Sequence, residues 1–135
     1  MAALKPKLML VENDPYFIYL LRLYAEQSGF SVVSTNSGLS ALSLAQQEQP
    51  AIIVIEWDLP EITGRELLRD LRSEPLTKST PIVLCLWPDS HRYCDTSERE
   101  IVLHKPMQYE DFVEALKGVG AWPEGRPERP RLTPA

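Results

Sequence analysis

Four short, uninterrupted apolar runs constrain this chain more than any other feature. They are LMLV at 8–11, IIVI at 52–55, PIVLCL at 81–86 and IVL at 101–103. A strand that is apolar at every position, without alternation, has to be covered on both faces. Helical stripes lie between the runs. Phe17, Leu20, Leu21 and Tyr24 recur at i, i+3, i+4 and i+7. Leu39, Leu42 and Ala45 form a second inward stripe, Leu67, Leu68 and Leu71 a third, and Tyr109, Phe112, Val113 and Leu116 the last.

With a shorter strand at 30–34, this alternation predicts an α/β fold: a doubly wound, five-stranded parallel sheet with helices on both faces. Right-handed crossovers allow little else. Local punctuation agrees. Asp14 reads as an N-cap, with Pro15 at the first helical position where a missing N–H costs nothing. Gly29 reads as the stop of that helix. Ser37 and Pro50 bracket the second helix, and the third is expected over 63–72. The regularity fails over 87–100, so the fourth helix is expected to be short or degenerate.

At 135 residues and 44% apolar, the chain has the length for one cored domain, placed at 1–119. Residues 120–135, with four prolines and three arginines, read as an extended or disordered tail. A net charge of −5 without a basic stretch in the folded part argues against a nucleic-acid partner. No apolar run is long enough for a signal peptide or a membrane span. Cys85 and Cys94 lack metal or redox spacing, so reduced thiols in the cytoplasm are expected. His91 and His104 have no partner at metal-ligand spacing and read as surface residues. Cys85 reads as a small hydrophobe in a buried strand.

In an open parallel sheet, chemistry collects outside the carboxyl ends of the strands. Glu12 and Asn13 follow the first run, Glu56 follows IIVI, Leu86 ends PIVLCL, and Lys105 follows IVL. With LMLVENDP, IIVIEWDLPEITG, PIVLCL and HKP in that order, the chain resembles the receiver domains of two-component response regulators. The resemblance runs over residues 7–119 and implies the flavodoxin-like fold of the chemotaxis response regulator.

It also implies a site in which an aspartate ending the third strand takes a phosphoryl group from a histidine kinase. Acidic side chains after the first strand would hold magnesium; a strand-four hydroxyl and a strand-five lysine would meet the phosphoryl oxygens. Here Glu56 holds the phosphoacceptor's place, Glu12 and Asn13 the acidic positions, and Leu86 the hydroxyl's place. Val102 stands at the aromatic switch position. Lys105 alone is retained, and the Lys105–Pro106 bond is expected to be cis. Asn13 lacks the ligand charge that magnesium favours. Glu56 reaches about 1.5 Å further than an aspartate, one C–C bond. Leu86 offers no donor and fills space with hydrocarbon.

The expectation is therefore a degenerate site, without metal or other cofactor, in which Glu56 pairs directly with Lys105. Asp14 reads as a solvated acid at a helix start. Asp58 is disfavoured as a displaced phosphoacceptor, because the family uses backbone at that position. Trp57, Trp87 and Tyr93 read as lids or partner anchors, with Trp87 alternatively filling the space left by the shortened segment. The expected function is a stand-alone pseudo-receiver, not an enzyme, that binds a kinase or other signalling protein without phosphorylation. The alternative is a working, magnesium-dependent phosphoacceptor in a phosphorelay. A homodimer is left open.

Overall fold

In the computed structural model, which describes residues 4–93, 96, 97 and 99–123, strands and helices alternate. In chain order they are β1 (Lys7–Val11), α1 (Pro15–Gln27), β2 (Ser31–Thr35), α2 (Gly38–Glu48), β3 (Ile52–Glu56) and α3 (Gly64–Ser73). Then come β4 (Ile82–Leu86), a 3-10 turn (Pro88–Tyr93), β5 (Glu100–His104) and α4 (Tyr109–Gly118). The five strands form one parallel sheet in the order β2-β1-β3-β4-β5. The expected fold and the degenerate fourth helix are both observed. Among the described residues, no helix is long and apolar enough to cross a membrane.

Every residue of β3 and β4 is buried, as unbroken apolar runs require. Alternate side chains feed two cores. Leu8, Leu10, Ile52, Val54 and Val83 pack beneath α1 and α4, with Phe17, Leu21, Phe112 and Leu116 above them. Met9, Val11, Ile53, Ile55 and Leu84 face α2 and α3, meeting Ala41, Ala45, Leu67 and Leu71. Each fully buried aliphatic side chain contributes roughly 1.5–3 kcal/mol. Asp14 caps α1 by accepting from the Tyr16 N–H at 2.9 Å, and Thr63 caps α3 by accepting from the Glu66 N–H at 3.0 Å.

The second helix departs from expectation. Leu39 is 67% exposed, and the inward face is Gly38, Ala41 and Ala45 with Leu42 half-buried. Small residues let α2 lie low on its neighbours: a Cβ on Gly38 would collide with Ile62. That close approach turns Leu39 outward. At the chain's other end, Ala121 and Trp122 pack against the core beneath α1 and α4. Residues 124–135, the rest of the expected tail, lie outside the described residues, as do Cys94 and the side chains of His91 and Tyr93.

At the N-terminal edge of the sheet, Arg72 closes α3 onto β5. Its guanidinium donates to Glu100 Oε2 from Nε at 2.9 Å and from Nη2 at 2.6 Å. It also reaches the carbonyls of Thr77, Lys78, Thr80 and Arg99. Burial raises the pKa of the Glu100 carboxyl, but the Ser97 N–H, Arg72 and the Ser97 hydroxyl outweigh it and hold the group below its usual range. The sequence pattern gave no sign of this clamp.

Candidate functional site

Three strand ends converge at the carboxyl edge of the sheet. Glu56 is the last residue of β3, and the register pairs it with Cys85 of β4. Glu12 follows β1 directly. Lys105 follows β5 and is held in line by its N–H, which donates to the Leu86 carbonyl at 2.9 Å. The Lys105–Pro106 bond is cis, as the sequence suggested. Glu12, Glu56 and Lys105 are 1%, 4% and 4% exposed, so three charged groups are enclosed in one small space.

Their contacts form a triad about one ammonium. Lys105 Nζ lies 3.1 Å from Glu12 Oε2 and in direct contact with Glu56 Oε2. Among the described residues, neither of those oxygens has a hydrogen-bond partner besides that ammonium. The remaining oxygens are held by backbone. Glu12 Oε1 accepts from the Asn13 and Asp14 N–H groups at 3.1 Å, and Glu56 Oε1 accepts from the Asp58 N–H at 3.1 Å.

Two carboxylates facing one cation in an enclosed space leave an excess negative charge. Burial raises the pKa of Glu56; the hydrogen bond from Lys105 opposes this, the charge on Glu12 adds to it, and the carboxyl sits at about 6. Burial lowers the pKa of Lys105, but Glu56 and Glu12 more than reverse that and leave it raised. The Cys85 thiol, buried behind both acids, is pushed far up and is chemically inert.

The other expected site residues divide. Asn13 is exposed and contributes only its backbone N–H to Glu12. Leu86 is fully buried and packs, with the half-buried Val102, in the core beneath α2 and α3. Asp58 is exposed and accepts from the Ser90 hydroxyl at 3.2 Å, which ties the 3-10 turn to the loop after β3. Trp57 is buried against α3. It is 8% exposed and wedged behind the start of α3, where a Cβ on Gly64 would come within 2.5 Å of its ring.

Sequence reasoning missed the roof of the site. Lys105 Nζ sits 4.1 Å from the centroid of the Phe17 ring, a cation–π contact. Phe17 in turn meets Trp87 edge to face at 5.9 Å and Tyr16 at 5.1 Å. In the sequence Phe17 is one member of an inward helical stripe, and nothing distinguishes it from Leu21. Trp87 is 44% exposed and forms the outer layer.

Comparison with known proteins agrees with this architecture. The family model of the response regulator receiver domain matches residues 8–117. The polar-differentiation response regulator DivK of Brucella ovis is 29% identical over 113 residues, covering 81% of this chain and 91% of its own. The Vibrio cholerae chemotaxis protein CheY4 superposes with a TM-score of 0.76 at 22% identity, over 86% of this chain and 99% of its own. The receiver domain of the Pseudomonas aeruginosa sensor histidine kinase PA1611, solved with magnesium in its active-site cleft, gives 0.76 at 19%, over 87% and 99%. A parallel sheet in the order β2-β1-β3-β4-β5, the lysine at its carboxyl edge, and a family match over most of the chain place this protein in the response regulator receiver domain family of two-component signalling.

Proposed function

We propose that this receiver domain signals by docking to a protein partner, without accepting a phosphoryl group and without magnesium. One observation carries the reading: the ammonium of Lys105 is already taken by Glu56 and Glu12. A phosphoryl group arriving at this edge needs that cation, and a magnesium ion needs free carboxylate oxygens. Here each of the four oxygens is engaged, two by backbone N–H groups and two by the lysine. Asn13 carries no charge and faces outward. The donor set does not fit a divalent cation, since admitting one would mean expelling the buried ammonium.

Leu86 supports the same reading. Its side chain is hydrocarbon only and fully buried in the core, so it offers no hydroxyl at the edge. Glu56 is set too far forward for an in-line acceptor, and a misplacement of about 1 Å can reduce such a reaction by about 10²-fold. The domain then acts through its surface, as a protein-interaction module for a kinase or another signalling protein.

Incubation with magnesium and acetyl phosphate, followed by intact mass measurement, tests this. No added phosphate is expected. A stable gain of one phosphate that disappears in Glu56→Ala would establish the phosphoacceptor reading instead. The combined change Glu56→Asp, Asn13→Asp and Leu86→Thr is expected to create acceptance that none of the three single changes creates.

A further inference from the structure

We propose that the proline- and arginine-rich end of this chain, residues 124–135, lies in cis as a strap against the outer aromatic face of α1. The contact is separate from the Lys105 triad and holds whether or not Glu56 accepts a phosphoryl group. It therefore goes beyond the docking reading and stands without it.

α1 carries a face that its own packing does not use. Phe17, Leu21 and Ala25 turn inward and are buried. Tyr16, Tyr19 and Leu23 recur at i, i+3 and i+7 on the other side, and the two tyrosines are 62% and 69% exposed. Arg22 and Glu26 are the helix's only charged residues. A helix that is apolar on both sides is normally covered on both. The exposed Trp87 extends the patch, since its ring meets Phe17 and Phe17 meets Tyr16. Exposed rings in a row match a proline-rich segment, because a polyproline II helix is ordered before it binds and docks on aromatic-lined surfaces.

The chain carries that occupant itself. Residues 124–135 read EGRPERPRLTPA. In a polyproline II helix, with three residues per turn, Pro127 and Pro130 fall on one edge and Arg126 and Arg129 on the next. The prolines suit the tyrosine rings. The arginines suit the acids that flank them: Glu26 on α1 and Glu110 on α4 are exposed and in no ion pair among the described residues. Glu110 stands close to the same face. Burial raises the pKa of Tyr24, and Tyr16, Glu110 and Asp111 add to it.

Position and length agree. Ala121 and Trp122 pack on the core that Leu20 and Tyr24 of α1 also join, so the chain runs out beside α1. The twelve residues beyond Pro123 reach about 37 Å in polyproline II form, against about 20 Å for the length of α1. So short a tether holds the segment at an effective concentration on the order of millimolar. That is enough to populate a contact too weak to persist between separate chains. A second copy fits less well. Two α1 faces paired antiparallel over Tyr16–Leu23 would bring Asp14 of one copy near Glu26 of the other, acid against acid.

The test uses the full chain with ¹³C-labelled tyrosine and proline. Cross-relaxation between the Pro127 or Pro130 ring protons and the Tyr16 or Tyr19 rings is expected, and it is expected to persist on dilution. Pro127→Gly combined with Pro130→Gly is expected to abolish it and to shift the ring signals of both tyrosines. Nitration of Tyr16 and Tyr19 by tetranitromethane, located by peptide mass, is expected to run at least threefold faster in that variant. Neither proline belongs to the sheet or its helices, so the variant reads the contact and not folding. Arg126→Glu combined with Arg129→Glu is expected to weaken the contact. Three results would each overturn the proposal: tyrosine signals and nitration rates unaltered in the proline variant, a stronger contact in the arginine variant, or cross-relaxation that vanishes on dilution together with a dimer seen in sedimentation.

Discussion

Replacing Glu56 by Gln is expected to change how stability depends on pH more than stability itself. Glu56 is 4% exposed and its carboxyl sits at about 6 in the folded protein, against an ordinary value of 4.5. At 1.36 kcal/mol per pH unit, that difference corresponds to about 2 kcal/mol. The direction follows from which form the fold prefers. A carboxyl whose pKa rises on folding binds its proton more tightly in the native state. Its contribution is therefore fully present below the unfolded value and is lost as pH rises through about 6. Gln cannot titrate, so urea unfolding of both proteins at pH 4.5 and pH 8 isolates the term. The wild type is expected to lose about 2 kcal/mol relative to Glu56→Gln between those two conditions. The absolute offset between the proteins carries a further contribution of about 1 kcal/mol, because one end of the amide presents a donor to Lys105. That offset does not change with pH and cancels in the comparison. Carboxyl ¹³C titration of Glu56 supplies the midpoint directly. If the wild type instead gains on the variant as pH rises, the anion is favoured by the fold and the account of this triad is wrong.

Other parts of the molecule yield simpler expectations. Arg72→Met strands the buried Glu100 carboxylate, and a loss of about 3–5 kcal/mol is expected in urea melts. The Glu100 pKa is lowered, so its contribution is present above the unfolded value and is lost as pH falls through the lowered folded value. ¹³C titration is thus expected to find the Glu100 midpoint below the ordinary carboxyl value in the wild type and higher in Arg72→Met. Gly64→Ala would drive a Cβ to 2.8 Å from the Trp57 carbonyl and 2.5 Å from its ring; destabilisation of about 1–3 kcal/mol is expected, read from the thermal midpoint. Phe17→Leu keeps the apolar volume but removes the ring over Lys105 and beside Trp87. A shift in Trp87 emission is expected with little change in fold by circular dichroism.

The fold was legible because its cause is local to the sequence. Runs apolar at every position can only be doubly covered strands, and Asp14–Pro15 and Gly29 mark where α1 begins and ends. Leu39 shows the limit of that reading. The expected stripe of Leu39, Leu42 and Ala45 holds at Ala45 and partly at Leu42, while Gly38 and Ala41 take the rest of the inward face, where a Cβ on Gly38 would collide with Ile62. Trp57 shows the same limit: its neighbours look like a loop, yet the bare Cα of Gly64 opens a slot for the ring. At the edge of the sheet, the meeting of Glu56 with Lys105 was foreseeable from strand ends alone. The second carboxylate on that ammonium, the Phe17 roof and the Arg72 clamp were not, because each depends on side-chain rotamers chosen by three-dimensional packing.

The energetics of the triad bear on why it exists. A buried ion pair is a poor way to gain stability, since desolvation of both partners opposes the attraction. Here a second carboxylate enlarges that penalty, and the raised pKa of Glu56 records it. A fold selected for stability alone would do better with an apolar side chain at that position. What the arrangement supplies is fixity. Lys105 is held by two acids from one side and faced by Phe17 from another, and Phe17 touches Trp87 at the surface. A charge that in a phosphoryl-transfer site must wait for an incoming group is satisfied from within. On the docking reading proposed above, the edge has little reason to change state, and the surface above it is presented in one arrangement to a partner.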